Sequence, residues 1–355
     1  MTADKKLTGI LERALGGIAA TREETTYMFS LCETSLEAGL IRAVSDSVYR
    51  KKVSNSAVLL AQIGIDISKC PGGCRFCSFG DKHTHFEPVS LSDEELTAKA
   101  KSLAAGGDLY ALYLMTMHDY DLSRLLHAVE VAKKAVPGTT RIWINMGDAD
   151  QEVFEALKER GVDGIYHVCR LREGTDTNLD PKNRQKTMDN VLAAGLKLAT
   201  CLEPIGPEHT PEEFTEQLFI GVERHIYQHA AMRRVAVPGT PLAHYGQISE
   251  LRLAQLTAIV GLACLNIPDF AFLGVHEPNK PGFLAGANAI FAESGGNPRD
   301  INGETSEGRG MDMDACRKMM LECGFTSIQL GDGTLVPLDM DYINEKARQH
   351  EQFVC

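Results

Sequence analysis

Residues 58–77 read VLLAQIGIDISKCPGGCRFC, an apolar run that ends at Ile67, just before three closely spaced cysteines. A run this short is a strand candidate rather than a helix. Seven more follow: LYALYLM (109–115), RIWIN (141–145), GIYHVC (164–169), LKLATCLEP (196–204), RRVAVP (233–238), FAFLGV (270–275) and ANAIFAE (287–293). Between them lie amphipathic stretches with helical spacing, such as SDEELTAKAKSLAAGG and LSRLLHAVEVAKKA. Strands alternating with helices pair in parallel through right-handed crossovers. Eight such units predict an α/β fold, a (β/α)8 TIM-type barrel whose active site lies at the C-terminal ends of the strands. An open doubly wound sheet is the alternative. The expected organisation is an N-terminal helical extension (1–54), the barrel (55–325) and a C-terminal tail (326–355), with the extension capping the lumen.

A chain of 355 residues suits one barrel with an extension, and 44% hydrophobic with 24% charged residues is ordinary for a globular enzyme. The net charge of −12 opposes a phosphate-tracking surface, so nucleic acid is excluded as a partner. No apolar run approaches the ~20 residues of a membrane helix. The start, MTADKKLTGILERAL, lacks a secretory apolar core. Ten cysteines without an export signal point to a reducing cytoplasm and to metal or redox use.

The cysteines Cys70, Cys74 and Cys77 form a C-x3-C-x2-C loop with two glycines inside it. Closed zinc sites and most iron–sulfur sites take four protein ligands. Three cysteines holding a [4Fe–4S] cluster leave one iron open to another molecule. The loop resembles the cluster motif of the radical S-adenosylmethionine (SAM) superfamily, in its biotin synthase-like branch with methylornithine synthase and the [FeFe]-hydrogenase maturases. Phe76 before the third cysteine, VPGTPLA (237–243) and GFLAGANAIFAESGGNP (282–298) extend the resemblance. The alternative is a non-catalytic zinc module completed by His83 or His85.

The resemblance implies site roles. SAM would chelate the open iron through its amino and carboxylate groups, with the backbone around Phe76 on its adenine. Thr116 and Met117 would offer backbone to the methionyl amine, although MTMHD departs from the glycine-rich form expected there. Arg170 or Arg172 would bind the SAM carboxylate and Glu173 the ribose, with Ile205-Gly206 against the adenine. Glu203 would contact SAM or substrate. Polar residues at strand ends face a barrel mouth and need partners or a ligand. On that ground His118, Asn145, Asp148, His276 and Glu277 are the substrate candidates, with helix capping the competing role for His118. His209 and Thr210 precede Pro211, where Thr210 suits an N-cap.

LYALYLMTMHD and RIWINMGDAD contain no cysteine, which departs from the biotin synthase pattern of a second cluster inside the barrel. Cys316, Cys323 and Cys355 could gather an auxiliary cluster near the C-terminus; the competing reading makes them buried hydrophobes or a tail thiol. The resemblance thus implies an oxygen-sensitive enzyme of an anaerobic cytoplasm, reduced by a flavodoxin or ferredoxin. It would cleave SAM to a 5′-deoxyadenosyl radical that abstracts hydrogen from a small-molecule substrate. Rearrangement or fragmentation in cofactor or amino-acid-type biosynthesis is the leading expectation. Sulfur insertion, using a second iron–sulfur cluster, is the alternative.

Overall fold

The computed structural model describes residues 4–80, 82–83, 87–293 and 311–354. Its centre is a closed parallel barrel of β1 (Ser56–Gly64), β2 (Ala111–Met115), β3 (Arg141–Asn145), β4 (Gly164–Tyr166), β5 (Lys197–Ile205), β6 (Gln228–Arg233), β7 (Phe272–His276) and β8 (Ala289–Ala292). Val58–Ala61 of β1 pair in parallel with Ala289–Ala292 of β8, which closes the ring. Each crossover carries a helix, numbered on from three N-terminal helices: α4 (Asp93–Ala104), α5 (Leu122–Ala135), α6 (Gln151–Glu159), α7 (Pro181–Ala193), α8 (Pro211–Val222), α9 (Glu250–Ala263) and the short α10 (Lys280–Phe283). The expected (β/α)8 fold is the observed one.

Strand alternation divides the core in two. Outward residues such as Leu59, Leu112 and Ile144 pack under the helices. Inward residues, among them Leu60, Tyr113, Trp143 and Phe272, form a separate plug inside the barrel. Tyr113 stacks on Trp143 at 5.5 Å between ring centres, and the Tyr113 hydroxyl donates to Gln228 Oε1 at 2.8 Å. The plug seals the N-terminal end, so molecules reach the lumen from the C-terminal mouth.

One strand differs from expectation. The structure starts β6 at Gln228, and RRVAVP overlaps it only at its first residue. Gln228 and His229 are buried polar residues, one bonded to the plug and the other 0% exposed, so the strand carries little apolar signal. The apolar run after it belongs to a loop.

The extension comprises α1 (Lys5–Leu15), α2 (Arg22–Phe29) and α3 (Leu36–Lys52). It lies against the outer helices rather than over the mouth. α2 packs on α8 and α9, α3 on α9, and the Tyr49 hydroxyl donates to the Gly261 carbonyl at 2.9 Å. Leu253–Ala263 of α9 are consequently buried all round. Residues beyond 325 are built onto the barrel as well. β9 (Ser327–Gln329) pairs in parallel with the start of β1, and β10 (Leu335–Pro337) runs antiparallel to β9. α11 (Met313–Glu322) and α12 (Met340–Val354) follow the same side, where Arg317 forms a buried ion pair with Asp108 at 2.6 Å and the Tyr342 hydroxyl donates to the same carboxylate.

Candidate active site

The cysteine loop is a backbone-ordered cradle at the mouth. The Cys70 N–H donates to the Phe79 carbonyl at 3.1 Å, Cys77 N–H to Cys74 O at 3.1 Å, and Phe79 N–H to Cys77 Sγ at 3.4 Å. Neighbouring loops clamp it from both sides. From the β4–α7 loop, Asn178 N–H donates to Gly72 O at 2.7 Å and Asp176 O accepts from Arg75 N–H at 2.9 Å. From the β6–α9 loop, Leu242 N–H donates to Arg75 O at 3.1 Å. Gly73 has φ +58°, and a Cβ there would lie 2.2 Å from the Asn178 amide, so the clamp requires glycine.

All three cysteines line one cavity of about 260 Å³. Burial pushes the Cys74 thiol up to about 12 against the opposing pull of Arg170, so metal binding there must displace a proton. Among the described residues, no three His, Cys, Asp or Glu side chains gather as one metal ion requires. A multi-atom cluster has ligands set further apart, and three thiols around one cavity fit it. His83 rests on the loop's backbone, its Nε2 contacting the Cys77 carbonyl at 3.0 Å. His85 lies outside the described residues.

Below the loop, Arg170 is the electrostatic hub. Its Nε lies 3.3 Å from Glu203 Oε1 and its Nη1 3.8 Å from Glu173 Oε2. Burial opposes the guanidinium charge, but the two carboxylates outweigh it and hold Arg170 charged. The Tyr166 hydroxyl donates to Glu203 at 2.6 Å and Thr177 to Glu173 at 2.6 Å, so each carboxylate is further hydrogen-bonded. A second buried pair stands beside it. Arg184 of α7 donates to Asp148 at 2.9 Å, and His167 Nε2–H donates to the same oxygen at 3.1 Å. Despite burial, His167 and Arg184 hold Asp148 down at about 2, while burial and then Arg184 push His167 down to about 4.

Both shifts have one sign. His167 folds neutral, so its contribution is complete above the unfolded histidine value near ~6.5 and is lost as pH falls to about 4. Asp148 folds ionised, so its contribution is lost between the unfolded value near ~3.9 and about 2. His229, buried and pushed down to about 4, adds to the first step. Urea midpoints should therefore fall steadily from pH 7 to pH 4. A flat profile over that range contradicts the buried neutral histidines.

The cavity brings together Thr116, Met117, His118, Asn145, Arg170, Glu203 and His276 with the cysteines. His118 is no cap, because Asp121 caps α5 through Arg124 N–H. Thr210 is the N-cap of α8, with Glu213 completing the box, and His209 Nδ1 accepts from Gly206 N–H. Other expected contacts stand off the wall. Arg172 turns outward to Glu213 at 2.6 Å, and Glu277 pairs with Arg233 at 2.6 Å. Glu173 and Asp148 act from behind the two arginines, and Phe76 is half-buried in its loop. A Cβ on Gly206 would meet the Glu208–Arg234 ion pair, while Ile205 is fully buried in the outer core.

Two of the three cysteines expected to gather an auxiliary cluster lie among the described residues. Cys316 of α11 and Cys323 at its C-cap are buried in the outer apolar layer, with Cys316 Sγ near the Phe291 carbonyl, and neither lines the cavity. Cys355 lies outside the described residues. Gln62, Tyr113, Tyr166, Cys201, Gln228 and Glu293 line the cavity without having been singled out. Their signal was available, since Gln62 and Cys201 occupy inward positions two residues from inward Leu60 and Ala199.

Gly147 joins the ends of β2 and β3: a Cβ there would sit 1.9 Å from the His118 carbonyl oxygen. Gly147→Ala must displace backbone beside the cavity, at an expected cost of roughly 1–3 kcal/mol. Thermal unfolding measures the cost, and a variant as stable as the parent contradicts the close approach.

Residues 65–218, from the cysteine loop through β5 and α8, match the radical SAM superfamily. That segment therefore has the sequence pattern of a radical SAM domain. Over 269 residues it is 22% identical to the biotin synthase of Sulfurihydrogenibium sp. (strain YO3AOP1), covering 72% of this chain and 78% of that one. In fold it is similar to HydG, a maturase of the [FeFe]-hydrogenase, with TM-score 0.79 and 14% identity over 92% of this chain and 77% of that one. Methylornithine synthase (PylB) gives TM-score 0.74 and 16% identity over 89% and 96%. The radical SAM family implies a [4Fe–4S] cluster and SAM, and three cysteines within the matched segment line the cavity. No described helix is long and apolar enough to cross a membrane.

Proposed function

We propose that this radical SAM enzyme binds its cluster through Cys70, Cys74 and Cys77 and rearranges or fragments a small molecule held in the barrel lumen. The cluster and SAM, when bound, supply reductive cleavage to a 5′-deoxyadenosyl radical, with electrons from a flavodoxin or ferredoxin. The chain's own residues bind, orient and exclude water. Arg170, held charged by Glu203 and Glu173, offers its guanidinium to the SAM carboxylate. Thr116 and Met117 present backbone at the end of β2. Asn145, His118 and His276 face the substrate.

The observation that carries this reading is one cavity joining three cysteines to a polar lumen whose far end is closed by stacked aromatics. Apart from those three, Cys201 is the cavity cysteine among the described residues, which leaves sulfur insertion without a second lumen thiol set. Anaerobic incubation of reconstituted protein with SAM and dithionite tests the reading. Equal amounts of 5′-deoxyadenosine and methionine are expected; intact SAM contradicts it.

A further inference from the structure

A polar triad across β1, β7 and β8 takes no part in the SAM-binding roles above. Glu293, just past β8, accepts at Oε1 from His276 Nε2 at 3.0 Å and from Gln62 Nε2 at 3.1 Å. All three side chains line the cavity. An ionised carboxylate offers only lone pairs, so in the neutral imidazole the proton sits on Nε2 and Nδ1 is a bare acceptor. That Nδ1 is buried and has no hydrogen-bond partner. The ring cannot easily turn to find one, because Phe291 packs edge-on against it at 5.7 Å.

Buried acceptors are ordinarily satisfied, and an orphan on a side chain that lines a ligand cavity marks a place where a ligand donor is missing. A carboxylate or phosphate would bring lone pairs against Nδ1 and charge against Glu293. We infer that the substrate carries a hydrogen-bond donor, a hydroxyl or N–H, that His276 Nδ1 receives on the β7–β8 side of the lumen, with Glu293 and Gln62 as positioning residues that fix the imidazole tautomer. This rests on the lumen being the substrate site proposed above.

The test uses oxidised, cluster-reconstituted, SAM-loaded protein at pH 8 with three matched fragments: 1-butanol, n-butylamine and butyrate. Ligand-observed NMR should detect the alcohol or the amine and not butyrate, and the stronger of the two identifies the donor. His276→Phe should weaken that binding about tenfold, and His276→Gln, which restores an acceptor, should recover most of it. In 15N-histidine protein the His276 Nδ1 signal should move on adding the bound fragment. Glu293→Leu should shift the resting tautomer, which a merely structural carboxylate would leave alone. Butyrate binding as well as the donors, no donor binding, or His276→Phe binding unchanged overturns the inference. SAM cleavage by the same preparations after dithionite reduction separates the two claims, since it can fail while donor binding persists, or persist while donor binding fails.

Discussion

Cys74→Ala should abolish iron loading while leaving the fold intact. Reconstituted parent protein is expected to hold about four irons per chain, and the variant close to none, with the brown colour and SAM cleavage lost together. The cradle itself is ordered by backbone hydrogen bonds and by the β4–α7 and β6–α9 clamps, to which the Cys74 thiol adds one long contact with Gly72 O at 3.8 Å. Circular dichroism should therefore stay unchanged, with a stability loss of roughly 1 kcal/mol. Cys316→Ala is the informative control. Its thiol is buried beneath α11 and away from the cavity, so all four irons should remain although some stability is lost. Iron retained by Cys74→Ala, or halved by Cys316→Ala, would relocate the metal site.

Arg170→Met should be the most destabilising change in the site. It leaves Glu203 and Glu173 buried at 3% and 9% exposure without the guanidinium between them. Removing one partner of a buried ion pair costs about 3–5 kcal/mol, because the remaining charge cannot regain its hydration. Adding Glu203→Gln to Arg170→Met should recover part of the loss, since the two positions are in contact and their effects are not additive. Denaturant unfolding of the single and double variants gives both numbers. SAM cleavage should be lost in both, because the proposed carboxylate ligand is missing. A single variant within 1 kcal/mol of the parent would mean that Arg170 is not the hub.

The barrel was legible because seven of eight inner strands carry apolar runs where the structure puts strands, and the cysteine loop follows the first of them. β6 was hidden by Gln228 and His229, which are polar in sequence yet buried in place. The same effect concealed much of the site. Gln62, Tyr166 and Glu293 sit among apolar neighbours, and only their inward register marks them. Arg170 could be named from sequence, but Arg172 could not be separated from it. Backbone conformation decides that: Arg172 adopts φ +54° and swings out to Glu213 on α8. Glu277 likewise follows inward His276 by one residue, so alternation turns it away to Arg233. The capping role expected of the extension failed because nothing in an amphipathic pattern states which surface it covers; here it is the flank of α8 and α9.

The central claim is that Cys70, Cys74 and Cys77 hold a cluster with one iron left open for SAM. Electron paramagnetic resonance of the dithionite-reduced, iron-reconstituted protein, recorded with and without SAM, tests it most directly. A single [4Fe–4S]⁺ signal that changes shape when SAM is added is the expected result. A reduced signal indifferent to SAM, or a colourless protein that takes up zinc in place of iron, would contradict the account.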